Sequence, residues 1–331
     1  MSADGTLLLS RGEVERLLSV QACIDAVENV FRLQGEGKVP APGILGVKTP
    51  DGGLHVKASL LPGEKNYIVA KLNTNFPQNR RLNNLPTIQG IVVLYDGDNG
   101  RPLAVLDSID ITIKRTAAAS AVAAKYLARP ASSVATLCGC GQQAAAQLRA
   151  LCAVLPLRKI YVFDLDRAAA QDFASKLAGE LQLAFEPVHD IGPALQKSDV
   201  CITCTTATKF FVRKDAVVPG TFIAAVGADD THKQEIDPAL MASAKIVADS
   251  LDQSCTIGDT HHAIAQGLMR KEDVYGELSE IVAGRKPGRT SDDEIIVFDS
   301  TGVAIEDAVA AVAVYEKARA DKTAKRFHFA T

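Results

Sequence analysis

The sequence predicts an α/β protein: a doubly wound parallel sheet joined to an α+β lobe. Three observations carry that reading. From residue 112 onward strand-like and helix-like stretches alternate, the pattern that builds a parallel sheet covered by helices. Near residue 139 a glycine-rich turn separates an apolar run from an alanine-rich helical run. Before residue 112 the texture is one helix followed by consecutive strands with hairpin signals. The chain has 331 residues, 47% of them apolar. That is enough for two ordinary domains with a sizeable core.

The first segment reads as helical. Ser10 and Glu13 have capping-box spacing, and Ile24, Val27, Val30 and Phe31 recur on one helical face. Runs at 54–61, 67–76, 90–95 and 102–106 read as antiparallel strands. The last two are joined by D-G-D-N-G at 96–100, a strong turn sequence. A helix over 112–127 then leads into strand 134–137, helix 142–154, strand 160–163 and helix 167–181. Further strands are expected at 200–203, 222–226, 246–248 and 295–298. A final helix over 303–318 is expected to return to the first lobe, followed by a loosely held polar tail. The expected division is residues 1–112 plus 303–331 against 113–302.

Thirty-six basic residues face 39 acidic ones, for a net charge of −3. Such a balance gives no general attraction to nucleic acid or anionic membranes, so neither partner is expected and small-molecule chemistry is. The apolar run at Leu7–Leu9 is too short for a signal peptide, and no stretch of about 18 apolar residues occurs. A cytoplasmic location is the expectation. Seven cysteines are spread along the chain. The close pairs Cys138/Cys140 and Cys201/Cys204 lie in apolar strand-and-turn runs rather than knuckle loops, so structural cysteines are expected and no metal site.

The sharpest local signal is V-A-T-L-C-G-C-G-Q-Q-A over 134–144, a G-x-G-x-x-A turn between strand and helix. Gly139 permits the tight turn, Gly141 lets backbone approach a pyrophosphate, and Ala144 lets the helix pack closely on the strand. Gln142 opens the helix, whose N-terminal N–H groups and dipole suit phosphate. This context reads as a Rossmann-type nucleotide domain. Asp164, at the end of the next strand, is placed to accept hydrogen bonds from ribose hydroxyls and to repel a 2′-phosphate. NAD(H) is therefore expected over NADP(H), although Arg167 offers a phosphate partner. The alternative role for Asp164 is capping the next helix.

Five blocks now stand in order: K-L-N-T-N-F-P at 71–77, T-I-K-R-T-A-A at 112–118, G-C-G-Q-Q-A at 139–144, A-V-G-A-D at 225–229 and S-T-G-V-A-I-E-D at 300–307. On these motifs the chain resembles the ornithine cyclodeaminase/mu-crystallin family over nearly its whole length. The resemblance implies a homodimer built through the first lobe, an active site between the two lobes and hydride transfer at the carbon bearing nitrogen. It implies Lys71 and Arg115 as cations for the substrate carboxylate, with Lys71 also catalytic. It implies Thr116 beside the cofactor and Asp229 as the catalytic acid that exchanges the nitrogen proton, with Lys233 steadying its loop.

Two departures stand out. The family's arginine near the start of the first sheet is missing from P-A-P-G-I-L at 40–45. Lys57 follows on the same strand face as His55 by period two, and is either the replacement anchor or a surface lysine. In G-D-T-H-H at 258–262, Asp259, His261 and His262 either line the pocket or open a helix. The expected function is an NAD(H)-dependent oxidoreductase acting on the Cα–N bond of a small α-amino or α-imino acid. Ornithine cyclodeamination is the alternative, and a non-catalytic binding protein the second.

Overall fold

The computed structural model describes residues 5–321 and 324–329. The chain divides into two compact units, residues 1–115 with 303–331 and residues 116–302. The division falls inside the Ile109–Leu127 helix. Among the described residues no helix is long and apolar enough to cross a membrane.

The first unit is a seven-stranded sheet with helices. Its strands run in the order Arg326–Phe327, Thr6–Leu9, Pro102–Asp107, Ile88–Asp96, Tyr67–Asn75, Gly52–Leu61 and Gly43–Thr49. The central strands pair antiparallel, as alternating apolar positions and the turn at 96–100 predict. Three features differ from expectation. Thr6–Leu9, ahead of the capping box and assigned no element from sequence, is a strand pairing parallel with Pro102–Asp107. Its Leu7 and Leu9 are buried, so a four-residue run was enough to complete the sheet. The tail expected to be loose returns at Arg326–Phe327 to pair with Thr6 and Leu7. Gly43–Thr49 adds an edge strand that is exposed throughout, and its apolar residues gave no buried-strand alternation to read. The helical start itself is two helices, Arg11–Leu17 and Val20–Gly35, capped at Ser10 and Ser19. Cys23, Ile24, Val27, Val30 and Phe31 form the buried stripe of the second.

The second unit is an α/β layer structure around an eight-stranded sheet, parallel throughout. The order is Gly276–Glu277, Lys245–Ala248, Ile296–Asp299, Phe222–Ala225, Val200–Thr203, Val134–Cys138, Lys159–Phe163 and Ala184–Pro187. The inner strands are buried along almost their whole length, which is why they read as continuous apolar runs rather than alternations. Strand order reverses between Val134–Cys138 and Val200–Thr203. In such sheets the crevice at the carboxyl ends of those two strands is where ligands bind. Arg129 and the backbone of Ser133 and Val134 all donate to Asp199, tying the two strands together at their opposite ends. A small parallel pair, Thr208–Val212 with Gln234–Ile236, covers part of that carboxyl edge. It was not foreseen.

Candidate active site

In the second unit the glycine turn forms as its sequence demands. Gly139 adopts φ +95°, open to glycine at little cost. A Cβ there would also crowd Thr205 Cγ2 at 2.9 Å and the Cys204 carbonyl at 3.0 Å. Gly141 caps the Gln142–Cys152 helix, and a Cβ on it would project into open space. Ala144 is fully buried on the inner face of that helix, while Gln142 is exposed at its start. A cleft of about 590 Å³ opens at this point, lined by Gly139, Gly141, Asp164, Leu165, Thr205 and Lys209 among others. The backbone bend, the helix N-terminus beside it and the open space over Gly141 fit a dinucleotide phosphate bridge.

Asp164 lies in the same cleft. One carboxylate oxygen accepts the Cys140 N–H at 2.8 Å and the other the Asp166 N–H at 2.9 Å. It therefore also holds the glycine turn against the end of the second strand. The cap of the next helix is Asp166, which accepts from Ala168 and Ala169, so the capping alternative for Asp164 does not hold. Cys138 and Cys201 lie within buried strands, whereas Cys140 and Cys204 sit on turns and line the cleft. Burial pushes the Cys140 thiol up to about 12, which keeps it protonated and unreactive.

Asp229 follows the Phe222–Ala225 strand on an exposed loop. Its Oδ1 is 2.5 Å from Lys233 Nζ. The Lys233 carbonyl in turn meets the His262 ring Nε2 at 2.8 Å. Asp259 is not among the residues lining the cleft at Gly139. It is the first residue of the Asp259–Ala265 helix, fully buried, and its Oδ1 accepts the N–H groups of Glu235 and Ile236. Burial pushes the carboxyls of Glu235, Asp259 and Asp299 above the usual carboxylate range.

In the first unit the structure assembles a buried ionic cluster. Lys71 lies directly opposite Lys57 across the antiparallel ladder, on the face covered by the Ala304–Ala318 helix. Lys71 Nζ pairs with Asp307 at 2.6 Å. The Arg115 guanidinium donates from Nε to the same Asp307 at 2.9 Å and from a terminal nitrogen to Glu306 at 2.6 Å. Lys71 and Arg115 are each only 5% exposed, Glu306 and Asp307 still less.

Burial lowers the Lys71 ammonium to about 8; Asp307 opposes that fall, while Arg115 and Lys57 add to it. Burial alone would raise Asp307, but Arg115, Lys71 and Lys57 together outweigh it and hold the carboxyl below its usual value. The buried members, two cations and two carboxylates, balance while Lys71 is charged, and half-buried Lys57 stands opposite, its charge felt by both Lys71 and Asp307. Thr116 follows Arg115 in the same helix and is buried.

Glu306 and Asp307 stand in the S-T-G-V-A-I-E-D block, which by itself assigns them no task. Two adjacent acids opening a helix look like dipole-stabilising residues, and only the fold brings them to Arg115, 191 and 192 positions away.

The sequence profile of the ornithine cyclodeaminase/mu-crystallin family matches residues 5–322. The chain belongs to that family. It is 37% identical to the alanine dehydrogenase of Archaeoglobus fulgidus over 325 residues, covering 98% of each chain. A solved archaeal alanine dehydrogenase dimer with bound NAD superposes with a TM-score of 0.93 at 37% identity, over 98% of this chain and 99% of that one. The Δ1-pyrroline-2-carboxylate reductase of Thermococcus litoralis, solved with NADH and L-proline, gives 0.91 at 35% identity, over 97% and 100%.

Proposed function

We propose that this protein is an NAD(H)-dependent oxidoreductase that makes or breaks the Cα–N bond of a small α-amino or α-imino acid. The observation that carries the reading is the buried Lys71–Asp307–Arg115–Glu306 cluster, two cations held in place by two carboxylates with Lys57 opposite Lys71 across the ladder, a fixed array of cationic groups suited to gripping a carboxylate. The full-length likeness to an alanine dehydrogenase and a pyrroline-2-carboxylate reductase supports the same chemistry.

A bound nicotinamide supplies a hydride donor or acceptor for carbon. Gly139, Gly141 and the start of the Gln142–Cys152 helix would hold its phosphates, with Asp164 at the adenosine ribose and Gln142 and Thr116 as further contacts. The residues of this chain do the rest. Arg115 fixes the substrate carboxylate, and a planar guanidinium already locked by two carboxylates loses little freedom in doing so. Lys71, titrating near 8, adds a second cation and is matched to proton transfer near neutral pH. Lys57, opposite Lys71, completes the anchor in place of the absent arginine. Asp229 exchanges the proton at the substrate nitrogen and balances iminium charge, with Lys233 setting its orientation.

We further propose a cytosolic homodimer joined through the first unit. The sheet face away from the cationic cluster leaves Leu45, Val47, Ile68 and Ile91 exposed. Such a patch on an open edge calls for a partner, and the archaeal alanine dehydrogenase is a dimer.

The deciding experiment is a spectrophotometric screen with NADH and NADPH. Substrates would be pyrroline-2-carboxylate, piperideine-2-carboxylate, and α-keto acids with ammonia or methylamine. Net NADH consumption with one of them is expected. Ammonia release from ornithine with catalytic NAD⁺ and no net cofactor change would replace this reading with cyclodeamination. Ligand-induced thermal stabilisation without any product would replace it with binding alone.

A further inference from the structure

We propose that Glu235 is a positioning residue that fastens the wall of the nucleotide cleft to the loop carrying Asp229. This inference rests on the functional reading above. It concerns a residue outside the groups assigned above to substrate and cofactor.

Glu235 lies in the three-residue Gln234–Ile236 strand and is fully buried. Its two carboxylate oxygens face two different loops. Oε1 accepts both the N–H and the hydroxyl of Thr205, each at 2.7 Å. Oε2 accepts the N–H of Gly227 at 2.8 Å. Thr205 lines the cleft and stands against Gly139, at the distance where a Cβ on that glycine would collide. Gly227 begins the A-D segment, and its carbonyl accepts the Asp229 N–H at 3.2 Å. One carboxylate thus spans the carboxyl ends of the Val200–Thr203 and Phe222–Ala225 strands.

The clamp is itself anchored. The N–H groups of Glu235 and Ile236 donate to Asp259 Oδ1 at 2.8 and 3.0 Å. The following Thr260 donates from its N–H and its hydroxyl to Asp299 at 2.9 and 2.6 Å. Asp299 ends the Ile296–Asp299 strand and pairs in register with Ala225. The glutamate therefore hangs from the sheet rather than from a mobile loop. Gly227 must be glycine for the same reason: a Cβ there would overlap the Glu235 carboxylate and press on the Thr205 carbonyl.

A glutamine cannot replace this group. Its single oxygen can serve Thr205 or Gly227, and its NH₂ then meets the N–H of the other. A buried donor faces a donor, and one loop is released. A 1 Å displacement of an aligned group is enough to cost about a hundredfold in rate.

The test uses Glu235→Gln with two readouts. Amide exchange by mass spectrometry should show peptides covering Thr205 or Gly227 exchanging at least about tenfold faster, with sheet peptides elsewhere unchanged. Steady-state kinetics should show kcat down about ten- to hundredfold and substrate KM within about threefold, since the cationic cluster is intact. NADH titration should still reach one site per chain, which separates a displaced loop from a smaller folded fraction.

Should Glu235→Gln not fold, Thr205→Val and Thr205→Ser decide. The valine keeps the N–H but drops the hydroxyl, and should lose about three- to tenfold in kcat. The serine should recover most of that loss. Wild-type exchange at both loops in a folded Glu235→Gln protein would overturn the proposal, as would equal losses in the two Thr205 variants. If wild-type protein neither binds NADH nor turns over an imino acid, the functional reading falls, and the exchange data still decide the clamp.

Discussion

Asp307→Asn removes the one carboxylate that Lys71 and Arg115 share. Lys71 moves from 10.5 to about 8 inside the fold. At 1.36 kcal/mol per unit, charging it there costs about 3 kcal/mol more than in water. That figure already contains the help of Asp307, 2.6 Å away. An opposite charge at such range is worth ~1–3 pKa units, so the variant's Lys71 should titrate that much lower. The reductive reaction needs the cation, whether to hold the carboxylate or to donate a proton. Wild-type kcat/KM with NADH and a cyclic imino acid should therefore fall above pH about 8. In Asp307→Asn the same limb should appear at lower pH, leaving the enzyme impaired at pH 8 and partly restored on acidification.

Stability supplies a second, independent readout. Removing one partner of a buried ion pair costs about 3–5 kcal/mol. At ~2–4 °C per kcal/mol this lowers Tm by about 6–20 °C at pH 7. The signs differ for the two groups. The Asp307 carboxyl is held below its usual 3.8, so its contribution is complete above that value and lost as pH falls through the folded one. The lowered Lys71 makes the folded state bind fewer protons between about 8 and 10.5, so wild-type stability gains from this group across that window. An unmoved pH limb in a folded Asp307→Asn protein would refute the assignment of that limb to Lys71. A Tm within about 1 °C of wild type would refute the buried pair.

Three further outcomes follow from the same geometry. Lys57→Met should raise substrate KM about tenfold and move the Lys71 limb to higher pH, opposite to Asp307→Asn, because the Lys57 charge depresses Lys71; unaltered KM and pH profile would return Lys57 to the surface. Asp164→Ser should weaken NADH binding and narrow the NADH/NADPH preference by about tenfold or more, about 1.4 kcal/mol, measured by fluorescence titration with both coenzymes. Unchanged affinity for both would remove Asp164 from the ribose. Asp229→Asn should lower kcat by about 10²–10⁴ with NADH affinity within about threefold, and near-normal turnover would pass the proton role to another group.

Much of this arrangement was legible because it is local. The Gly139 turn is specified within eleven residues, and its strand-turn-helix context appears as read. Asp229 sits after an apolar strand and a glycine, as the A-V-G-A-D run implies. What stayed hidden is non-local pairing of charge. Nothing in E-D at 306–307 distinguishes two dipole-facing acids from the counter-ions of Arg115. Nothing in K-Q-E-I marks Glu235 as buried, since a glutamate in a three-residue strand reads as a solvated loop acid. Asp259 shows the converse: beside two histidines it reads equally as a pocket acid or a helix start, and it does open the Asp259–Ala265 helix, while its carboxylate holds a backbone segment in the core, a task the sequence does not mark. The short strands at 6–9 and 326–327 were missed for a related reason. Four and two residues carry too little periodicity to register, and only pairing with a preformed edge makes them strands.

The two units handle buried charge in opposite ways, and the difference bears on function. In the first, each buried acid partners a cation, and Lys71 stays near its titration point, where it can still exchange a proton. In the second, the hydrogen bonds that Glu235, Asp259 and Asp299 accept among the described residues come from backbone N–H groups and hydroxyls, dipoles fixed by the fold, with Asp259 taking both of its bonds on Oδ1. A carboxylate satisfied by dipoles neither attracts a substrate anion nor releases its grip when one arrives. It is suited to holding loops at a set distance, whereas the Lys71 cluster is suited to binding and proton exchange. Replacing Glu235 should accordingly leave the alkaline limb near pH 8 where it is and change only the height of the profile. A limb that moved with Glu235→Gln would mean the two charge systems are coupled, and the division of labour between them would have to be abandoned.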